Sequence, residues 1–215
     1  MQDHPRGTTV IQQRLHRQPT VSSVVLLLAA TAFLLACGEK HARLPKLDPQ
    51  AIVLAFGDSL TFGTGAGADE SYPLQLGRAI QRKVVASGVP GEISESGLKR
   101  LEAAIDESTP ALLLLCHGGN DFLQKRDEAM LANNLRAMIQ LAQRRNIAVV
   151  LIGVPKPGLV LSTASIYEAI ARELKVPIEA KALAAILGDH KLKADPVHPN
   201  AQGYAKLAAA IAQLL

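Results

Sequence analysis

The stretch Ile52-Val53-Leu54-Ala55-Phe56-Gly57-Asp58-Ser59-Leu60 joins an apolar run to a glycine and a short polar string. Such a run has the length of a strand buried on both faces, and the glycine permits a sharp exit from it. Further runs of strand length lie downstream at residues 83–86, 111–116 and 148–153, with a short one at 177–180. Helical segments alternate with them at about 72–82, 94–107, 128–145, 163–175, 181–187 and 199–215. Within the third of these, Leu131, Leu135, Met138, Ile139 and Ala142 recur at helical spacing. Pro199 is expected in the first turn of the last helix, where its missing N–H is tolerated. The alternation predicts an α/β fold with a central, mostly parallel sheet of about five strands covered on both faces. In such sheets, sites gather where loops leave the carboxyl ends of the strands.

Ahead of this domain, assigned to residues 51–215, the chain has a different character. Arg14, His16 and Arg17 precede an apolar stretch at 21–36 that is broken only by Ser22, Ser23 and Thr31 and ends in Leu34-Leu35-Ala36-Cys37. A basic region, a short apolar stretch and a small residue before the break describe an export signal over residues 1–37. The stretch is shorter than the roughly 20 residues of a membrane span. The string ending at Cys37 resembles a bacterial lipobox, which implies cleavage before Cys37, its lipidation and a membrane anchor. A simple anchor helix, or cleavage near Ala36 with an incidental cysteine, is the plainer alternative. Residues 38–50, with Pro45 and Pro49, read as a linker. The expected location is the bacterial cell envelope: facing the periplasm if anchored, otherwise periplasmic or secreted.

Composition excludes several partners. The 215 residues suit one domain. Part of the net charge of +4 comes from Arg6, Arg14 and Arg17 against Asp3, and the remaining basic residues are dispersed among acids, so nucleic acid is not an expected partner. Trp is absent and other aromatics are scarce, which argues against a stacking platform. With Cys37 assigned to the lipid, Cys116 stands alone and reads as a small buried strand residue. His117, His190 and His198 show no familiar metal-ligand spacing, and no metal or other cofactor is expected.

Four short strings fall where the fold would gather them. Ser59, after Gly57-Asp58, can present a hydroxyl at the end of the first strand, or Asp58 and Ser59 can merely cap a turn. Gly91, after Val89-Pro90, lets the backbone approach a ligand with its N–H, or simply makes a turn. Asn120, after His117-Gly118-Gly119, can offer an amide donor to a developing oxyanion, or can act with Asp121 as a cap for the next segment. Asp195 and His198 lie three residues apart, so the carboxylate can orient the imidazole. Each string is weak alone. In this order they supply a nucleophile, oxyanion donors and an Asp–His pair, the roles that cofactor-free serine hydrolysis needs.

Ser59, Gly91, Asn120 and His198 resemble the four blocks of the SGNH hydrolases, also called GDSL esterases. The resemblance runs from about residue 52 to residue 215 and is closest to the secreted arylesterase and multifunctional thioesterase/lysophospholipase branch in residues 91–101, 118–121, His198-Pro199-Asn200 and Gly203-Tyr204. It implies a flavodoxin-like three-layer α/β/α sandwich. It also implies a triad of Ser59, His198 and Asp195, and an oxyanion hole of the Ser59 and Gly91 N–H groups with the Asn120 side chain. No G-x-S-x-G string occurs, so the nucleophile elbow of α/β-hydrolases is not expected.

No insertion is long enough for a large lid. The expected site is therefore an open apolar cleft, with Phe122, Leu123, Pro155, Leu159 and Val197 as candidate lining. It would take small acyl-ester or lipid substrates, and thioesters by the same resemblance. A carbohydrate O-acetylesterase of the envelope is the alternative enzyme, and a non-catalytic binding lipoprotein the alternative of another class.

Overall fold

The opening apolar run folds as β1 (Val53–Gly57), buried along its whole length, in a computed structural model that describes residues 44–158 and 161–215. After it come α1 (Ser59–Phe62), α2 (Tyr72–Ile80), β2 (Val84–Gly88), α3 (Ser94–Ser108), β3 (Leu112–Cys116) and α4 (Gly119–Leu123). The second half adds α5 (Glu128–Arg144), β4 (Ala148–Ile152), β5 (Pro155–Lys156), β6 (Ser162–Thr163), α6 (Ser165–Leu174), β7 (Ile178–Glu179), α7 (Ala182–Gly188) and α8 (Ala201–Ala212).

Five strands form one parallel sheet in the order β2-β1-β3-β4-β7. Helices α2 and α7 pack with α8, while α3 and α6 pack with α5, and the sheet lies between the two groups. This three-layer α/β/α arrangement explains the continuous apolar runs: a strand covered on both faces has no solvent face on which to alternate. Leu112, Leu113, Leu114 and Leu115 of β3 are accordingly all buried. The edge strand β2 is half-buried, in keeping with its weaker apolar pattern. Because β1 connects outward to β2 and β3 lies on its other side, the carboxyl ends of β1 and β3 flank the point where strand order reverses.

Three local features differ from the sequence expectations. The second strand runs on through Ser87 and Gly88, because β1 offers a parallel partner as far as Gly57. The helix expected from residue 163 starts at Ser165, since Ser162 and Thr163 pair antiparallel with Lys156 and Pro155. Pro199 is not in the last helix but bridges to Lys193, and Asn200 caps the helix by accepting from the Gly203 N–H at 3.0 Å. Helices α1 and α4, of four and five residues, are additions to the sequence expectation, being too short to show a helical period. Cys37 and Leu159 lie outside the described residues.

Candidate active site

Gly57 ends β1 against the end of β3. A Cβ there would sit 1.9 Å from the Cys116 carbonyl oxygen, so only glycine lets the two strand ends meet this closely. Asp58 then caps α1, its Oδ1 accepting from the Leu60 N–H at 3.0 Å. Asp58 is buried, and that burial pushes its carboxyl pKa up. Ser59 is the first residue of α1, so its N–H is one of those a helix leaves without an internal partner.

The Ser59 hydroxyl lies 3.0 Å from His198 Nε2, and His198 Nδ1 lies 2.7 Å from Asp195 Oδ2. Burial works against ionisation of Asp195, but hydrogen bonds from the His198 ring and from the Val197 and His198 backbone N–H groups outweigh it and lower its pKa. An ionised carboxylate only accepts, so Nδ1 carries the imidazole proton and Nε2 keeps a lone pair toward Ser59. The 193–199 loop that carries the pair is pinned at its base by the Ala194 N–H donating to the His198 carbonyl at 2.9 Å.

Gly91 reaches the same place through a tight turn. The Glu92 N–H donates to the Val89 carbonyl at 3.1 Å, with Pro90 second and Gly91 third in the turn at φ 79°. That combination is the signature of a type II turn, whose third position favours glycine. A Cβ on Gly91 would meet nothing within 4 Å, so the residue faces open space. Asn120, in α4 just past β3, donates from Nδ2 to the Glu92 carbonyl at 2.9 Å. The Asn120 loop and the Gly91 loop are thereby tied together.

These groups border one largely apolar cleft of about 420 Å³. Ser59, Gly91, Asn120 and His198 line it, as do the expected Leu123, Pro155 and Val197. Phe122 does not: it is turned into the core, edge-on to Tyr167 at 6.4 Å between ring centroids. A helical turn separates the directions of adjacent side chains, which is why Leu123 faces the cleft and Phe122 cannot. Sequence reasoning missed Thr64, Leu161, Leu187 and Pro196, which also line the cleft from four separate segments. Among the described residues, no three His, Cys, Asp or Glu side chains gather as a metal site. No helix there is long and apolar enough to cross a membrane.

Residues 55–206 match the model of the GDSL-like Lipase/Acylhydrolase family. The chain belongs to this family. As a GDSL-type hydrolase it is similar to the Esterase TesA of Pseudomonas aeruginosa, 29% identical over 68% of this chain and 79% of the relative. It is 30% identical to the Thioesterase 1/protease 1/lysophospholipase L1 of Escherichia coli K12, over 69% of this chain and 75% of that one. In fold it matches the psychrotrophic esterase EstA from Pseudoalteromonas sp., with a TM-score of 0.69 at 22% identity, covering 77% of this chain and 96% of that one. The GDSL-type chain is a carboxylic-ester hydrolase.

Proposed function

We propose that this hydrolase is a serine esterase of acyl esters that works through an acyl-enzyme, with Ser59 as nucleophile, His198 as general base and acid, and Asp195 holding His198. The observation that carries this reading is the unbroken line from Asp195 through His198 to Ser59, at 2.7 and 3.0 Å, on the wall of an apolar cleft. Ser59 Oγ attacks the ester carbonyl carbon as its proton passes to His198 Nε2. The Ser59 and Gly91 N–H groups and Asn120 Nδ2 are the donors available to the oxyanion. Collapse of the tetrahedral intermediate breaks the bond to the alcohol, which leaves with the proton from His198. Water then repeats the sequence on the acyl-enzyme and releases the acid.

The cleft's apolar lining suits the acyl side of short to medium acyl esters, and thioesters fit the same chemistry. The thioesterase and lysophospholipase of Escherichia coli and the arylesterase of Vibrio mimicus, as relatives, are in keeping with such breadth. The sequence of residues 1–37 supports export, with Cys37 as the anchored residue in the bacterial envelope. Palmitate labelling that survives Cys37→Ser would remove the anchor from this reading.

The direct test is hydrolysis of p-nitrophenyl acetate, butyrate, octanoate and palmitate. The parent is expected to turn over the shorter esters, with Ser59→Ala and His198→Ala each losing roughly 10⁴–10⁶-fold in kcat. A Ser59→Ala protein that keeps parental kcat sinks the proposal.

A further inference from the structure

Directly behind the oxyanion donors lies a polar cluster that the triad does not use. The Glu92 side chain is only 7% exposed, yet it is ionised: burial opposes its charge, and hydrogen bonds from Arg100 and His117 outweigh that and bring its pKa to about 2. Arg100 grips both carboxylate oxygens, Nε to Oε1 at 2.9 Å and NH2 to Oε2 at 2.7 Å. The same guanidinium reaches the Ser87 hydroxyl at 2.6 Å and the Gly57 carbonyl at 3.3 Å, and stacks on the Phe56 ring 4.1 Å from its centroid. It thus touches the ends of both β1 and β2.

His117 closes the cluster from the third strand. Its ring is fully buried, with Nε2 3.2 Å from Glu92 Oε2. An ionised carboxylate can only accept, so Nε2 carries the proton, and among the described residues the buried Nδ1 has no hydrogen-bond partner. An unpaired buried acceptor is a standing penalty. The Glu92 contact is the polar bond that this ring makes, and Gly97 leaves room for it: a Cβ there would fall 2.3 Å from Nε2. His117 immediately precedes Gly118-Gly119-Asn120, so its anchoring fixes where the Asn120 segment begins. The backbone of Glu92 completes the link, because its carbonyl accepts from Asn120 Nδ2 and its N–H closes the Gly91 turn.

We propose that Glu92 is a positioning residue for catalysis, clamped by Arg100 and His117 so that the Gly91 N–H and the Asn120 amide converge on one oxyanion position. The role rests on the proposed oxyanion hole. Glu92 touches no substrate; it joins the second-strand loop to the third-strand loop with its backbone and locks both to the nucleophile strand with its carboxylate. Loosening such donors by a fraction of an ångström weakens the transition state far more than the bound ester. The loss therefore falls on kcat.

The test compares the parent with Ser59→Ala, Glu92→Gln and the double variant Glu92→Met/Arg100→Met. The double variant removes both charges together, so no lone buried charge threatens its folding. Each is assayed on p-nitrophenyl butyrate for kcat and KM, and for the rate of inactivation by diethyl p-nitrophenyl phosphate, whose adduct needs the same donors. Folding is followed by circular dichroism and Tm. The expected result is a loss in kcat of about 10–100-fold in the Glu92 variants, KM within about twofold, and a parallel loss in inactivation rate. If a folded variant of Glu92 keeps kcat and inactivation rate within about twofold of the parent while Ser59→Ala is inert, the positioning role is wrong and the triad stands. A change in Tm alone, with kcat and KM untouched, overturns it equally. Full activity in Ser59→Ala would instead bring down the underlying esterase reading.

Discussion

Among the described residues the Asn120 amide is only half engaged. One N–H of Nδ2 is held by the Glu92 carbonyl at 2.9 Å, and the other is free to meet a ligand in the cleft that Asn120 lines. Replacing Asn120 with Ala is expected to lower kcat by about 10²–10³-fold with a small change in KM, read by steady-state kinetics on a soluble ester. Glu92 makes a separate prediction, for stability. Its folded pKa of about 2 lies below the ordinary 4.5, so its contribution is complete above about pH 4.5 and is lost as pH falls toward 2. The groups facing it are Arg100 from α3 and His117 from the end of β3. Urea denaturation from pH 5 down to pH 2 should show this loss, and Glu92→Gln should flatten that part of the profile. An unchanged profile in the variant would mean that other carboxylates account for the acid sensitivity.

At the scale of elements, α3 illustrates how a helix can be shaped by one neighbour. Gly97 sits inside it, where alanine would add about 1 kcal/mol of helical preference. The Cβ position 2.3 Å from His117 Nε2 reverses that advantage. Gly97→Ala is expected to destabilise the protein by roughly 1–3 kcal/mol in chemical denaturation. In a His117→Ala background the same substitution should stabilise, because the methyl then enters space the imidazole has left. The same sign in both backgrounds would show that the ring is not what Gly97 accommodates. The long elements are legible in the sequence: the 128–145 expectation and α5 (Glu128–Arg144) differ by one residue, because five turns of apolar spacing leave a clear period. The one-turn helices α1 and α4 leave no such signal, although they carry Ser59 and Asn120. Reading α4 as a plain loop is also what puts Phe122 in the expected cleft beside Leu123.

At the scale of the whole molecule, the cleft residues and sheet strands found among the described residues all fall within residues 51–215. Removing residues 1–40 is therefore expected to leave kcat/KM on p-nitrophenyl butyrate within about twofold of the full chain and, on the proposed anchoring at Cys37, to release activity from the membrane fraction. Loss of activity on the soluble ester would show that the N-terminal segment takes part in the site. Parallel strands place the loops after β1, β2 and β3 at one edge, and the 193–199 loop reaches them from the far end of the chain. Ser59 and His198, 139 residues apart in sequence, meet only through that topology.

By itself the sequence determined the alternation of strand and helix, since the apolar period depends on neighbours a few residues away. It also offered Ser59, Gly91, Asn120, Asp195 and His198 as candidates, through glycine-bearing strings after three strands and an Asp–His pair three residues apart. Tertiary structure alone decided which adjacent side chain faces the cleft, Leu123 rather than Phe122. It alone assembled Glu92, Arg100 and His117, whose spacings of eight and 25 residues carry no periodic signal. Their meeting depends on the order in which three strands pair, and so does the shape of the cleft.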